Sequence, residues 1–166
     1  WISMGSSRKC STCCYWQKGE VKFTLQDAEE VRLFKNGLAA FSMVNEEGDE
    51  KWGFVDKTGK VVINPQFSSV SNFSDGKCGV SNNDYKWGFI DKEGKIVINY
   101  QFDETGDFLN GRCVVESGNK QGVIDKDGKY LINPQFSSMQ IDGDLFLISQ
   151  DGKYGWCDID GKLIIN

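Results

Sequence analysis

A ten-residue segment, Lys51-Trp52-Gly53-Phe54-Val55-Asp56-Lys57-Thr58-Gly59-Lys60, returns from Lys86 to Lys95, from Lys120 to Lys129 and from Lys153 to Lys162. The second residues of these copies are Trp52, Trp87, Gln121 and Tyr154, so the steps are 35, 34 and 33 residues. A fixed period of this length restricts the chain to an array: each period is one small supersecondary unit that buries its apolar surface only by stacking on its neighbours. The flanks repeat too. Ile63-Asn64-Pro65-Gln66-Phe67, Ile98-Asn99-Tyr100-Gln101-Phe102 and Ile132-Asn133-Pro134-Gln135-Phe136 follow their segments, and Phe73/Gly76 and Phe108/Gly111 come next. Phe34/Gly37 matches that later half, so residues 24–50 read as a partial repeat, followed by repeats starting near 51, 86, 120 and 153. The last copy stops before its Gln-Phe step, which suggests a fragment or an array whose final unit is cut.

Each unit reads as β structure. Trp52 to Asp56 is an extended run, Asp-x-x-Gly-Lys follows, and Val61-Val62-Ile63 is a second run. Asp at the first turn position and a left-handed Gly at the fourth suit a type I turn closing a hairpin. A third run, Cys78 to Ser81 or Arg112 to Glu116, precedes the next segment through a polar turn, giving a three-stranded antiparallel meander per repeat. Alternation puts Trp52, Phe54 and Asp56 on one face and Gly53 and Val55 on the other, while Val61 and Ile63 oppose Val62. A sheet apolar on both faces must be covered twice, which stacking provides. Gly53, Gly88, Gly122 and Gly155 stand inside strands, where glycine is unfavourable unless another group packs closely over it, and the expected occupant is a neighbouring ring. The expected fold is all-β: tandem meanders stacked into an open superhelical or propeller-like array.

Among 166 residues there are 19 Gly and only 2 Pro, a ratio that fits many tight turns and no proline-rich linker. A net charge of −5 leaves no cationic surplus for phosphates, so nucleic-acid binding is not expected. No apolar run is long enough to span a membrane as a helix, and no signal-peptide pattern is visible in a chain that opens at Trp1. With no His, serine and cysteine triads and histidine metal sites are excluded. Paired carboxylates remain, but Asp56, Asp91, Asp125 and Asp158 recur once per repeat at turns, and a residue present in every unit serves the unit. Asp125-Lys126-Asp127-Gly128 and Asp158-Ile159-Asp160-Gly161 begin like calcium loops, yet Gly stands fourth where an EF-hand needs it sixth.

Residues 1–23 lack the repeat and hold Cys10, Cys13 and Cys14. Cys10 and Cys13 are the candidate metal ligands, since Cys-x-x-Cys is half of a zinc site; a redox pair or a disulfide fits the same spacing. Cys78 and Cys113 share one repeat position and Cys157 takes the place of Val55 and Ile90, so all three read as small buried hydrophobes.

The Trp-Gly-Phe-(Val/Ile)-Asp-Lys-x-Gly-Lys segment, with Asn-Pro-Gln-Phe downstream, resembles the WG-repeat family of bacterial β-rich repeats over roughly Ala28 to Asn166. Two copies match fully. The third has Gln121 and Val123 at the aromatic positions, and the fourth exchanges its rings as Tyr154 and Trp156. The resemblance implies a non-enzymatic module, often appended to other domains, with no general ligand. The expected function is therefore a scaffold binding a protein partner, without catalytic residues or a bound cofactor. A cell-surface carbohydrate-binding module is the alternative, and an unrecognised hydrolase comes third. Recognition is expected on variable turns, Asn82 to Tyr85 and Glu116 to Asn119, because loops on a rigid scaffold carry binding.

Overall fold

The computed structural model describes residues 12–17 and 20–165, all in strands and turns among the described residues. The chain divides into two compact units, the first ending at Phe67 and the second beginning at Ser68.

The first unit opens with a hairpin of β1 (Thr12–Gln17) and β2 (Glu20–Gln26). A four-stranded sheet follows, from β3 (Glu30–Val31), β4 (Leu38–Val44), β5 (Glu50–Asp56) and β6 (Val61–Phe67), paired in sequence order. Leu25 and Ala28 pack with Ala39, Phe41 and Val55, so the stretch leaving the hairpin helps to bury one face of that sheet.

The second unit holds three more sheets of the same kind. They are β7 (Ser69–Val70), β8 (Cys78–Ser81), β9 (Trp87–Ile90) and β10 (Ile96–Phe102); then β11 (Glu104–Thr105), β12 (Cys113–Ser117), β13 (Lys120–Ile124) and β14 (Tyr130–Phe136); then β15 (Ser138–Asp142), β16 (Leu145–Gln150), β17 (Lys153–Cys157) and β18 (Leu163–Ile165). All pairings are antiparallel.

The expected meander is present, but each sheet has four strands and not three. The added strand, only two residues long in three of the sheets, pairs with the strand after it as Ser69↔Ser81 and Val70↔Val80 do. A two-residue strand shows no alternation from which it could be read. The sheets are also out of phase with the sequence period: the repeats starting near 51, 86 and 120 each begin in the third strand of one sheet and end in or just after the second strand of the next.

Stacking within the second unit follows from the period of two along each strand. In β13, Ile124 packs back with Phe89, Ile98, Phe102, Phe108, Cys113 and Val115. Its neighbour Val123 packs forward with Ile132, Phe136, Met139, Phe146, Ile148 and Cys157. Both are fully buried, so a single central strand feeds two cores. The outer strands differ from expectation. Ile63 and Ile98 are buried, but Val61, Val62, Ile96 and Val97 are each close to 40% exposed, because an edge strand has no further strand beside it.

Gly53, Gly88 and Gly122 seat backbone and not a ring. A Cβ on Gly53 would lie 2.4 Å from the carbonyl oxygen of Ile63 and 2.6 Å from Pro65 N; on Gly88 and Gly122 the nearest oxygens, of Ile98 and Ile132, are 2.6 and 2.5 Å away. At these points the pairing of third and fourth strands shifts register, as between Trp52 and Phe54, and the Ile-Asn-Pro/Tyr stretch folds over the glycine. The Trp-Gly and Asn-Pro-Gln-Phe motifs are thus the two sides of one close crossing.

Cys78, Cys113 and Cys157 are free, buried thiols as expected. The Cys113 thiol donates to Gly106 O at 3.2 Å, and desolvation pushes its pKa up to about 12 despite the opposing contact with Thr105 Oγ1. Cys78 donates likewise to Ser71 O, seven residues back, so both thiols tie a second strand to the segment before it. Peptide mapping after iodoacetamide treatment at pH 8 should find these three cysteines unmodified in native protein and fully modified in guanidinium, because only an exposed thiolate reacts. Rapid native labelling of Cys113 would contradict the burial described.

Candidate interaction surface

The acids that recur once per repeat are turn organisers. Asp56 Oδ1 accepts from the backbone N–H groups of Thr58 at 2.8 Å and Lys60 at 3.1 Å, and Asp91, Asp125 and Asp158 make the corresponding pairs. The Thr58 hydroxyl, donating to the same oxygen, holds the Asp56 carboxyl below the usual carboxylate range. Gly59, Gly94, Gly128 and Gly161 close the turns at φ between 75° and 89°. One oxygen of each carboxylate, Oδ1, is thus engaged with backbone, and no group of three or more metal-ligating side chains comes together among the described residues. Cys10 lies outside the described residues. Of Cys13 only the backbone is described, in β1 opposite Leu25.

The anchor aromatics do not form one platform. Trp52 is buried, with the Arg32 guanidinium 4.0 Å from its ring centroid. Trp87 is half-buried against the core between the first two sheets of the second unit. Gln121 uses its amide, accepting from Met139 N at 2.7 Å and donating to Glu116, while Tyr154 is 73% exposed.

One turn departs from the pattern. Asn82 arranges the β8–β9 hairpin as the aspartates arrange theirs: its Oδ1 accepts from Asp84 N and Lys86 N, both at 3.0 Å, and Tyr85 N donates to Asn82 O. The β4–β5 hairpin is built identically on Asn45, with Gly48 at φ 88° in the closing position. In the β8–β9 hairpin that position is Tyr85, at φ 58° and 80% exposed. A bulky residue in the left-handed region is an outlier that costs on the order of 1–3 kcal/mol and persists only where its surroundings hold it. The surroundings do hold it. The Lys86 ammonium pairs with Asp103, whose other oxygen accepts from Gly118 N at 2.7 Å, and Ser68 Oγ donates to Asn83 Oδ1 at 3.0 Å. The Lys86 contact, followed by that of Gly118, keeps the Asp103 carboxyl below its ordinary value. Asp103 therefore joins the β8–β9 hairpin to the β12–β13 hairpin, whose tip is Gly118-Asn119, and produces one braced end of the sheets with an exposed ring on it. Both variable turns named from the sequence lie there. The strain at Tyr85 was not legible, although a Tyr where the sister turn has Gly was its trace.

Comparison with known proteins bears on the fold. The crystal structure of BamB from Moraxella catarrhalis is similar at TM-score 0.62 and 12% identity, over 93% of this chain and 58% of that one. Hsv2 from Kluyveromyces lactis is similar at TM-score 0.55 and 17% identity, over 87% of this chain and 52% of that one. The chain thus spans little more than half of either structure, and at such identities the likeness speaks for the fold alone. Four-stranded antiparallel meanders repeated in tandem are the unit from which propellers are built. No curated protein matches the chain. The sequence profile described as "WG containing repeat" matches residues 52–85, 87–120 and 122–154, more than half of the chain. With the Trp-Gly segment and its Asn-Pro-Gln-Phe partner explained as one crossing, the chain belongs to the WG-repeat family.

Proposed function

We propose that this chain is a non-catalytic β-repeat scaffold that recognises a protein partner through the braced hairpin end around Tyr85. The observation that carries the reading is Tyr85 itself: an exposed ring held at positive φ in a turn whose sister uses Gly. Strain of this kind destabilises the fold and has no packing role, so its return lies in what the ring touches outside the chain. Tyrosine is among the side chains that anchor protein interfaces, since it adds much contact area for little conformational entropy. The absence of His and the use of the recurring acids in turns support a non-catalytic reading.

The test is Tyr85→Gly. Relief of the left-handed strain outweighs the extra chain entropy of glycine, so the variant should be more stable by about 0.5–1 kcal/mol. Quantitative co-purification from native extract should show the partner depleted by roughly 30-fold or more, the loss expected of an interface anchor. A variant that is more stable and still retains every enriched protein would remove Tyr85 from recognition. The carbohydrate-binding alternative rests on the same exposed ring, which would stack on a sugar face. A glycan array probed with both proteins separates the readings, because only the alternative predicts a glycan signal lost with Tyr85.

A further inference from the structure

One tight turn recurs between the first and second strands of three sheets. Lys35-Asn36-Gly37-Leu38, Ser74-Asp75-Gly76-Lys77 and Leu109-Asn110-Gly111-Arg112 each close on a bridge between their first and fourth residues. Their second residues stand at φ 50°, 49° and 51°, and the glycines that follow at 92°, 80° and 80°. This is the left-handed pair that Asn-Gly and Asp-Gly supply to a two-residue hairpin. Asn110 is exposed, and its turn is tied to the sheet before it: Gly111 N donates to Asp75 Oδ2 at 2.6 Å, and the Ser74 hydroxyl donates to Phe108 O. In Asn-Gly the side-chain amide is open to attack by the next backbone nitrogen, because glycine places no Cβ in the way. At Asn110 that nitrogen is the one Asp75 holds.

We propose that Asn110 is a deamidation site and that Asp75, on the neighbouring sheet, governs its rate. In the reaction Gly111 N loses its proton to water or hydroxide and attacks Cγ of Asn110. The N–Cγ bond forms, the Cγ–Nδ2 bond breaks, and Nδ2 leaves as ammonia, so a five-membered succinimide remains. Water then adds at Cγ, restoring the main chain with an aspartate, or at the Asn110 main-chain carbonyl carbon, giving an isoaspartate whose chain runs through Cγ. Asp75 opposes the first step twice. Its oxygen holds the hydrogen that must leave, and its negative charge disfavours a second one forming 2.6 Å away. The aspartate product fits the turn, since Asp75 occupies the equivalent place at nearly the same φ. Deamidation therefore adds a negative charge at this turn without requiring a new backbone, at a rate set by a contact between two sheets.

The test is peptide mapping of the full chain during incubation at neutral pH and physiological temperature, with aspartate and isoaspartate at position 110 resolved by chromatography. In the native parent these products should form more slowly than in the chain unfolded in guanidinium. Asp75→Gly keeps the left-handed turn and removes the carboxylate, and it should raise the native rate at Asn110 roughly fivefold or more, the factor for one hydrogen bond lost at an exposed turn. Ser74→Ala removes the other tie and leaves the charge, so its rate should stay close to that of the parent. Asn36, an Asn-Gly in the other unit, should respond to neither substitution. A native rate at Asn110 equal to the unfolded one overturns the proposal without recourse to any variant. So does a rate indifferent to Asp75→Gly, an equal acceleration by Ser74→Ala or at Asn36, which would be general loosening, or the absence of both products from the unfolded chain.

Discussion

Phe89→Ala should lower stability by about 3–5 kcal/mol, the range for deleting a buried ring whose site cannot collapse. The ring is 1% exposed, 5.0 Å from the Phe108 ring and 6.4 Å from the Phe102 ring, both edge-on. Phe108 lies between β11 and β12 of the next sheet, so truncation opens a cavity at a sheet-to-sheet core where the neighbours are themselves locked by stacking. Edge-to-face contacts add roughly 0.5–1.5 kcal/mol each beyond area burial. Guanidinium melts of the variant beside Tyr154→Ala make the measurement. The latter removes an anchor ring that lies mostly in water and should cost under about 1 kcal/mol. Equal losses would mean that position in the motif, and not burial, sets the energetics.

Gly122→Ala should cost about 3 kcal/mol, at the upper end for forcing extra volume into a packed site. The new methyl would lie 2.5 Å from Ile132 O, 2.7 Å from Pro134 N and 2.9 Å from the Asn133 carbonyl carbon. All three are backbone atoms, so no side chain can rotate away and β14 must lift off β13. The comparison is Gly118→Ala. Gly118 has φ +61° and open space around it, so its substitution carries only the left-handed penalty of about 1–2 kcal/mol. Chemical denaturation of both variants decides the matter, and a Gly122→Ala loss smaller than that of Gly118→Ala would sink the close-crossing account.

These two residues also show which parts of the fold were legible in the sequence. Phe89 could be placed in the core because the repeat, the alternation and the two-sided apolar pattern all agree on it. Gly122 could be singled out as needing close approach, but not what approaches it. The occupant comes from a strand ten residues on, at a register shift that periodicity does not encode. The two-residue strands Ser69–Val70 and Glu104–Thr105 escaped notice because pairing, not pattern, defines them. Val61 and Val62 were expected under cover because their apolarity is visible and their place at a sheet edge is not. In the candidate site, the variable turns were identifiable as departures from the repeat. The brace of Lys86, Asp103 and Gly118 joins residues far apart in the chain and needed coordinates.

The phase offset between repeat and sheet bears on how such a chain changes length over generations. Removing residues 86–119 takes away the second half of one sheet and the first half of the next, so β8 is joined to β13. The halves left behind, β7–β8 and β13–β14, are the complementary halves of one meander. Excision or duplication of a whole period, wherever it begins, therefore restores a complete sheet, whereas gain or loss of a segment carrying only some strands of the unit leaves a strand without a partner; turns absorb single residues, as the steps of 35, 34 and 33 show. Unequal recombination between copies of the repeat is thus filtered by folding itself, and arrays of this kind grow and shrink in steps of one repeat.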